Sequence, residues 1–408
     1  MKLLLLLLAV ASMAQAQTRA RELGIPLDGT TGRLNAITDV VGVEVGHATL
    51  ISGSGRLVAG KGPVRTGVTA ILPRGRAGSD TVFAAWFTLN GNGEMTGTIW
   101  MEESGMLEGP VLITNTHSVG VVRDAVIDWM VKTGRSRLFA LPVVAETFDG
   151  ALNDDKGFHV KPEHVFAALD SARGGAVQEG AVGGGTGMIC HGFKGGIGTA
   201  SRKLGANVGG YTVGVLVQCN YGARRLLRVA GAPVGTEMAD MRICFETNEP
   251  PTRDWLRGVP NCGAAPPPAA TPRDEELEGL GSIIIVVATD APLLPHQLKR
   301  VATRASLGVG RMGGLGENSS GDIFLAFSTA NPSAAADTGI AALRMLPNDR
   351  INPIFEATVQ ATEEAILNAM LAARTMVGAD GLRVSGMPHD RLLAALRKYN
   401  RLGDGAKR

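Results

Sequence analysis

A layered α/β fold is predicted by three features of the sequence. Short apolar runs of roughly four to eight residues recur between glycine and proline turn signals, as strands buried on both faces do. Helical patterns with one apolar face are interspersed among them. The composition is globular: of 408 residues, 45% are hydrophobic and 19% charged. That supports a large core and excludes wholesale disorder. The 55 glycines are unusually many, yet they follow no collagen-like period.

Residues 1–16 read as an address. Met1-Lys2 precede the apolar run LLLLLLAV, and Ala14 and Ala16 form a small-residue exit. These are the three parts of a secretory signal cut after Ala16. The run is far shorter than the ~20 residues of a membrane span, and no other stretch reaches that length without charge or glycine. The mature chain is expected to be periplasmic or secreted, where disulfides form.

Strand candidates follow at GVTAILPRG (67–75), PVLITNT (110–116), LPVVAET (141–147) and YTVGVLVQCN (211–220). Between them, residues 118–132 carry Val122, Val126, Trp129 and Met130 at helical spacing and stop before Gly134. A second helix is expected over 162–172, opened by Pro162. Residues 246–272 hold Pro250, Pro251, Pro260, Pro266, Pro267 and Pro268 and predict an extended, exposed linker. The charged stretch RDEELEG (273–279) ends it in a helix-like turn. GSIIIVVATDAPL (281–293) is the most apolar strand candidate in the chain. A helix is expected over 294–306, then a glycine-rich loop, a strand within DIFLAFSTAN (322–331) and a long helix over 353–377. The apolar face of that last helix is Phe355, Val359, Ala365, Ile366 and Met370.

Composition excludes several function classes. The net charge is only +2 and aromatic residues are 4%, too little for a phosphate-tracking surface or base-stacking platform. No nucleic-acid or membrane partner is expected. None of Cys190, Cys219, Cys244 and Cys262 forms a C-x-x-C pair or a zinc spacing. Cys190 and Cys219 lie in apolar stretches and are expected to be small buried side chains. Cys244 and Cys262 flank the proline-rich segment, where a bridge is an open alternative. Gly308 to Gly313 spells G-x-G-x-x-G, but it follows a helix, whereas a dinucleotide site follows a strand. The glycine-dense runs 179–190 and 193–202 lack a P-loop ending; tight turns and a ligand-facing loop both fit them. The seven histidines occupy no G-x-S-x-G or H-E-x-x-H context, and each reads as structural.

Ser282 stands apart. It lies between Gly281 and a buried strand, directly after the linker. A cut at Gly281–Ser282 would leave a serine at a new N-terminus on a rigid element. An N-terminal-nucleophile hydrolase needs that arrangement: the hydroxyl attacks while its own α-amine, with a reference pKa near 7.7–8.0, serves as base. The glycine permits the backbone geometry of an N→O acyl shift.

The chain resembles the L-aminopeptidase/D-esterase family, which includes D-aminopeptidases and β-peptidyl aminopeptidases. The resemblance rests on LNAITDVVGVEVGH (34–47), NGNGEMTG (90–97), VVAETFDGALND (143–154), GGGTGM (183–188), FKGGIGTASR (193–202), VGVLVQCNYG (213–222), GSIIIVVATDAPLLPHQL (281–298) and SGDIFLAFSTAN (320–331). It implies an αββα sandwich resembling N-terminal-nucleophile hydrolases, as one large domain. Its α fragment would be 17–281 and its β fragment 282–408, the product of self-cleavage at Gly281–Ser282. The resemblance implies Ser282 as nucleophile, Ser320 and Asp322 beside it, Asn220 as oxyanion donor and Glu146 as holder of the substrate amine. Phe148 stands where one branch of the family carries tyrosine. It implies no cofactor or metal, and a homo-oligomer, tetrameric in the family. Substrates would be short peptides, amides or esters with a free N-terminal amine. Gly281 and Asp322 match the branch that releases L-residues and cleaves D-residue amides and esters. The β-peptidyl branch has Asn and Glu there and is the alternative enzyme reading. A non-catalytic periplasmic binding protein that retains the fold is the alternative of another class; it would not need Ser282, Ser320, Asp322 and Asn220 together.

Overall fold

The computed structural model describes residues 17–78, 81–135, 138–264, 281–332, 334–336 and 339–402. The signal segment 1–16, the end of the linker and the charged stretch 273–279 lie outside the described residues. Fifteen strands follow one another among the described residues: β1 (Glu44–Ser52), β2 (Val64–Leu72), β3 (Val82–Thr88), β4 (Met106–Leu107), β5 (Val111–Asn115), β6 (Val143–Thr147), β7 (Ile189–Cys190), β8 (Phe193–Lys194), β9 (Gly196–Lys203), β10 (Thr212–Asn220), β11 (Cys244–Phe245), β12 (Ser282–Thr289), β13 (Ile323–Ser328), β14 (Met376–Val377) and β15 (Leu382–Val384). The helices are α1 (Thr98–Ser104), α2 (Val119–Lys132), α3 (Pro162–Asp170), α4 (Val234–Glu237), α5 (Pro295–Arg311), α6 (Asn352–Ala372) and α7 (His389–Lys398).

Two sheets stack between two helical layers. One is ordered β1-β2-β5-β6, the other β4-β3-β13-β12-β10-β9. Leu112, Val126 and Leu169 join the four-stranded sheet to α2 and α3. Ile113, Leu216, Ile284 and Leu325 fill the space between the sheets. Val217, Ile285, Val301 and Ile366 pack the six-stranded sheet against α5 and α6. This is the expected αββα sandwich.

The layering explains the sequence texture. In β12, Ile283, Ile285 and Val287 face the helices while Ile284, Val286 and Ala288 face the other sheet. Alternation vanishes because both faces are buried. Burying each large aliphatic side chain contributes roughly 1.5–3 kcal/mol, so the strand that begins at Ser282 is firmly held.

Some expectations are corrected. α5 runs on through Gly308 and Gly310 to Arg311, so the G-x-G-x-x-G run closes a helix. A Cβ on Gly308 would lie 2.6 Å from Thr362 Cβ; only glycine lets α5 approach α6 this closely. The last long helix ends at Ala372, because Met376–Val377 pair with β15 instead. Cys190 and Cys219 are bridged, as are Cys244 and Cys262. The early part of the linker is packed: Leu256 is buried with Phe245 and Leu382, and Arg253 pairs with Asp380 at 3.4 Å.

Candidate active site

Strand register assembles the site. The antiparallel pairing of β12 with β10 sets Ser282 directly across from Asn220. The parallel pairing with β13 brings the segment before Ile323 alongside, and the Gly321 N–H donates to Ser282 Oγ at 3.0 Å. Ser282 and Asn220 are each 4% exposed. The Asn220 side-chain oxygen accepts the Ile189 N–H at 2.7 Å, and its Nδ2 donates to the Phe148 carbonyl at 3.0 Å. Those two bonds fix which way the amide points. An amide nitrogen carries two N–H donors, so among the described residues one remains for an oxygen beside Ser282.

Behind Ser282, Ser320 Oγ donates to Asp322 Oδ1 at 2.5 Å and the Ile283 N–H donates to the same oxygen at 3.2 Å. Both side chains are fully buried. Burial pushes the Asp322 carboxyl up to about 6, although hydrogen bonds from Ser320 and Ile283 pull it down. Desolvation therefore outweighs the donors.

Glu146 sits near the end of β6 and is buried. Its Oε1 accepts the Glu94 N–H at 3.1 Å, and its Oε2 accepts the Thr116 hydroxyl. Burial raises its carboxyl above the ordinary value, with those two donors opposing. Glu146, Phe148, Asn220, Gly281 and Ser282 all line one cavity of about 880 Å³. Phe148 is partly exposed there, its ring 6.2 Å from that of Trp255. Ser320 and Asp322 lie behind this wall, against Ser282. Sequence-predicted site residues thus converge on one place. No histidine lines the cavity among the described residues, so a histidine base at Ser282 has no candidate.

The family pattern described as peptidase family S58 matches residues 35–384. The chain belongs to peptidase family S58. It is 55% identical over 399 residues to the β-peptidyl aminopeptidase BapA of Sphingosinicella microcystinivorans, a match covering 97% of this chain and 96% of that protein. Among solved structures it is similar to a Burkholderia sp. β-aminopeptidase, with TM-score 0.77 and 47% identity over 93% of this chain and 99% of that one. It is also similar to the L-aminopeptidase D-Ala-esterase/amidase of Ochrobactrum anthropi, with TM-score 0.80 and 45% identity over 94% and 99%. The Ochrobactrum protein is described as a prototype of the serine aminopeptidases and a variant of the Ntn hydrolase fold. The present S58 chain has that fold and is an aminopeptidase.

In this S58 chain, sequence reasoning missed a supporting loop at residues 90–94. Asn90 Oδ1 accepts the Asp322 N–H at 2.6 Å, and its Nδ2 donates to the Glu317 carbonyl at 3.0 Å. The Asn92 N–H donates to the Ser320 carbonyl at 3.1 Å. With Glu94 on Glu146, one loop ties the Ser320–Asp322 pair to the Glu146 side of the cavity. The block NGNGEMTG was visible as a motif; its partners were not. Trp255 was also missed, hidden in the proline-rich segment.

Proposed function

We propose that this aminopeptidase matures by cutting itself at Gly281–Ser282 and then works through an acyl-enzyme on Ser282. The observation that carries the reading is the seat of Ser282: first residue of a buried strand, opposite Asn220, open to the cavity, and preceded by a glycine with φ +147. A Cβ at Gly281 would lie 1.9 Å from the Asn220 carbonyl oxygen, so that position accepts glycine alone. In the precursor, Ser282 Oγ attacks the Gly281 carbonyl, the C–N bond breaks, and water hydrolyses the resulting ester. The freed α-amine then takes the proton from Oγ in each catalytic cycle. The substrate carbonyl oxygen becomes an oxyanion facing the Asn220 amide, a neutral donor already held in place. Glu146 pairs with the substrate ammonium, which confines cleavage to N-terminal residues. Leader-like residues 1–16 support export, and family resemblance supports a homo-oligomer.

The acyl group we propose is a β-amino acyl residue. Support comes from 55% identity along nearly the whole chain to a protein named β-peptidyl aminopeptidase. Release of L-residues is the second reading, favoured by Gly281 and Asp322. A panel of p-nitroanilides with L-, D- and β-amino acyl groups tests both. The β-amino acyl compounds are expected to give the highest kcat/KM; an L-residue in first place reverses the order. A denaturing gel separates both from a binding protein: two fragments accompany an active nucleophile, and a single band with no hydrolysis favours a binder.

Glu146→Gln keeps the shape and removes the charge. Losing a charge-assisted bond of about 1.5–3 kcal/mol lowers kcat/KM about 10- to 150-fold, while self-cleavage, which uses no external amine, proceeds. Unchanged kinetics on free-amine substrates would remove this role.

The pH profile carries two protons. The cycle needs the α-amine neutral, with a reference pKa of about 7.7–8.0, and Asp322 ionised, with its carboxyl raised to about 6. On falling pH, log kcat/KM is expected to drop with slope one below the amine pKa and to steepen to slope two or more below about 6, with Glu146, whose carboxyl burial also raises, adding its own proton; the Glu146→Gln variant isolates the Asp322 step. A slope of one throughout would exclude Asp322 ionisation from the cycle.

A further inference from the structure

The cavity in front of Ser282 is lined by charges of both signs. Glu94 and Glu146 contribute carboxylates, while Arg224, Arg225 and Arg242 contribute guanidinium groups from the segments after β10 and before β11; the Arg224 guanidinium is already bonded to the His191 and Gly192 carbonyls. Much of the remaining wall is apolar, with Met241, Ile243, Val259 and Trp255. The Glu146 carboxylate is accounted for by the substrate amine. Arg242 already has an interaction within the protein, which sets Arg225 apart. Arg225 is exposed and makes no hydrogen bond or ion pair among the described residues. A cation with no internal partner, on the wall of a substrate cavity, is placed for an anion that arrives with the substrate.

Resting on the aminopeptidase reading above, we propose that Arg225, with Arg242 beside the same cavity, binds the C-terminal carboxylate of a short peptide substrate. The preferred substrates are then zwitterionic oligopeptides, held by Glu146 at the amine and by arginine at the carboxylate, with the scissile carbonyl at Ser282 between them. Chain length supports this. Arg225 is five residues beyond Asn220, which faces Ser282. Five residues span at most about 18 Å, and the long arginine side chain can fold back from there. A leaving peptide of one to three residues covers about 3.5 Å per residue, a length on the scale of the cavity that Ser282 and Arg225 both line. The planar guanidinium fork suits a carboxylate, which it can grip through two parallel bonds. A longer peptide carries its carboxylate past Arg225 and loses the contact.

The test is a ratio measured within each enzyme. A β-alanyl dipeptide is supplied as the free acid and as its C-terminal amide, and released amine is followed for both. The mature enzyme, Arg225→Gln and Arg242→Gln are compared, with β-alanyl p-nitroanilide as a carboxylate-free substrate. The native enzyme is expected to favour the acid over the amide by about 5- to 20-fold in kcat/KM. Arg225→Gln should bring that ratio close to one, and added salt should lower it in the native enzyme. A general loss of activity in a variant cancels in the ratio. Equal rates on acid and amide in the native enzyme, or an undiminished ratio in both variants, would overturn the carboxylate assignment alone. Hydrolysis of none of the three substrates by the native enzyme would overturn the β-amino acyl reading and this proposal with it.

Discussion

Ser282→Ala is expected to leave a single uncut chain with no measurable aminopeptidase activity. In the proposed mechanism serine at this position does two things. Its hydroxyl must open the Gly281 peptide bond, and its freed amine must then serve as base. Alanine removes the hydroxyl and, by blocking the cut, withholds the amine as well. Loss of a nucleophile that acts together with its base typically costs roughly 10⁴-fold or more, and here both are lost at once. The fold should survive, because Ser282 contributes a single buried oxygen that accepts one N–H from Gly321. Ser282→Cys separates the two roles: a thiol supports the same acyl shift, so processing is expected to continue. N-terminal sequencing of the smaller native fragment should read Ser-Ile-Ile-Ile. A fully active uncut chain would remove the N-terminal-nucleophile assignment.

The parts of the molecule readable from sequence are those where local pattern and tertiary environment agree. β10 and β12 are buried on both faces, so their apolar runs are unbroken and bounded by turn residues. α2 covers a sheet on one face, so its Val122, Val126, Trp129 and Met130 repeat at helical spacing. Errors arise where a distant contact decides. Gly308 looks like a helix breaker, yet the approach of Thr362 makes glycine the residue that fits there inside α5. Val377 looks like the continuation of α6, but pairing with Arg383 in β15 takes it into a strand. Prolines 250 to 260 describe the backbone and say nothing of Leu256 and Trp255 between them, which find a core and a cavity. Cys190 and Cys219 are 29 residues apart, and only the folded chain brings their Cα atoms to 5.6 Å.

The candidate site divides in the same way. Ser282 is legible because a glycine–serine step at the start of a buried strand is chemically unusual. Asn220 and Glu146 are legible as strand-end polar residues within blocks that resemble a known family. Asn90, Asn92 and Glu94 act through backbone and side-chain bonds to groups more than 50 residues away, and no local pattern encodes that. They hold Glu146, Asp322 and Ser320 in place.

Asn220→Ala is expected to lower kcat by about 10² to 10³, the usual consequence of deleting one preorganised oxyanion donor. The geometry also predicts a second effect. The same side chain accepts the Ile189 N–H and donates to the Phe148 carbonyl, so alanine leaves two backbone groups without partners. Each buried orphan costs about 1–3 kcal/mol of stability, and a lower Tm should accompany the lower kcat. Asn220→Asp distinguishes the two consequences. A carboxylate still accepts from Ile189 but has no N–H to give, and its charge faces the developing oxyanion. It should therefore recover part of the Tm while leaving kcat at or below the alanine value. If Asn220 serves only as a brace between β7 and the Phe148 loop, kcat will instead follow Tm and recover in the aspartate variant. A change confined to KM in both variants would assign Asn220 to substrate binding and leave the oxyanion without its side-chain donor.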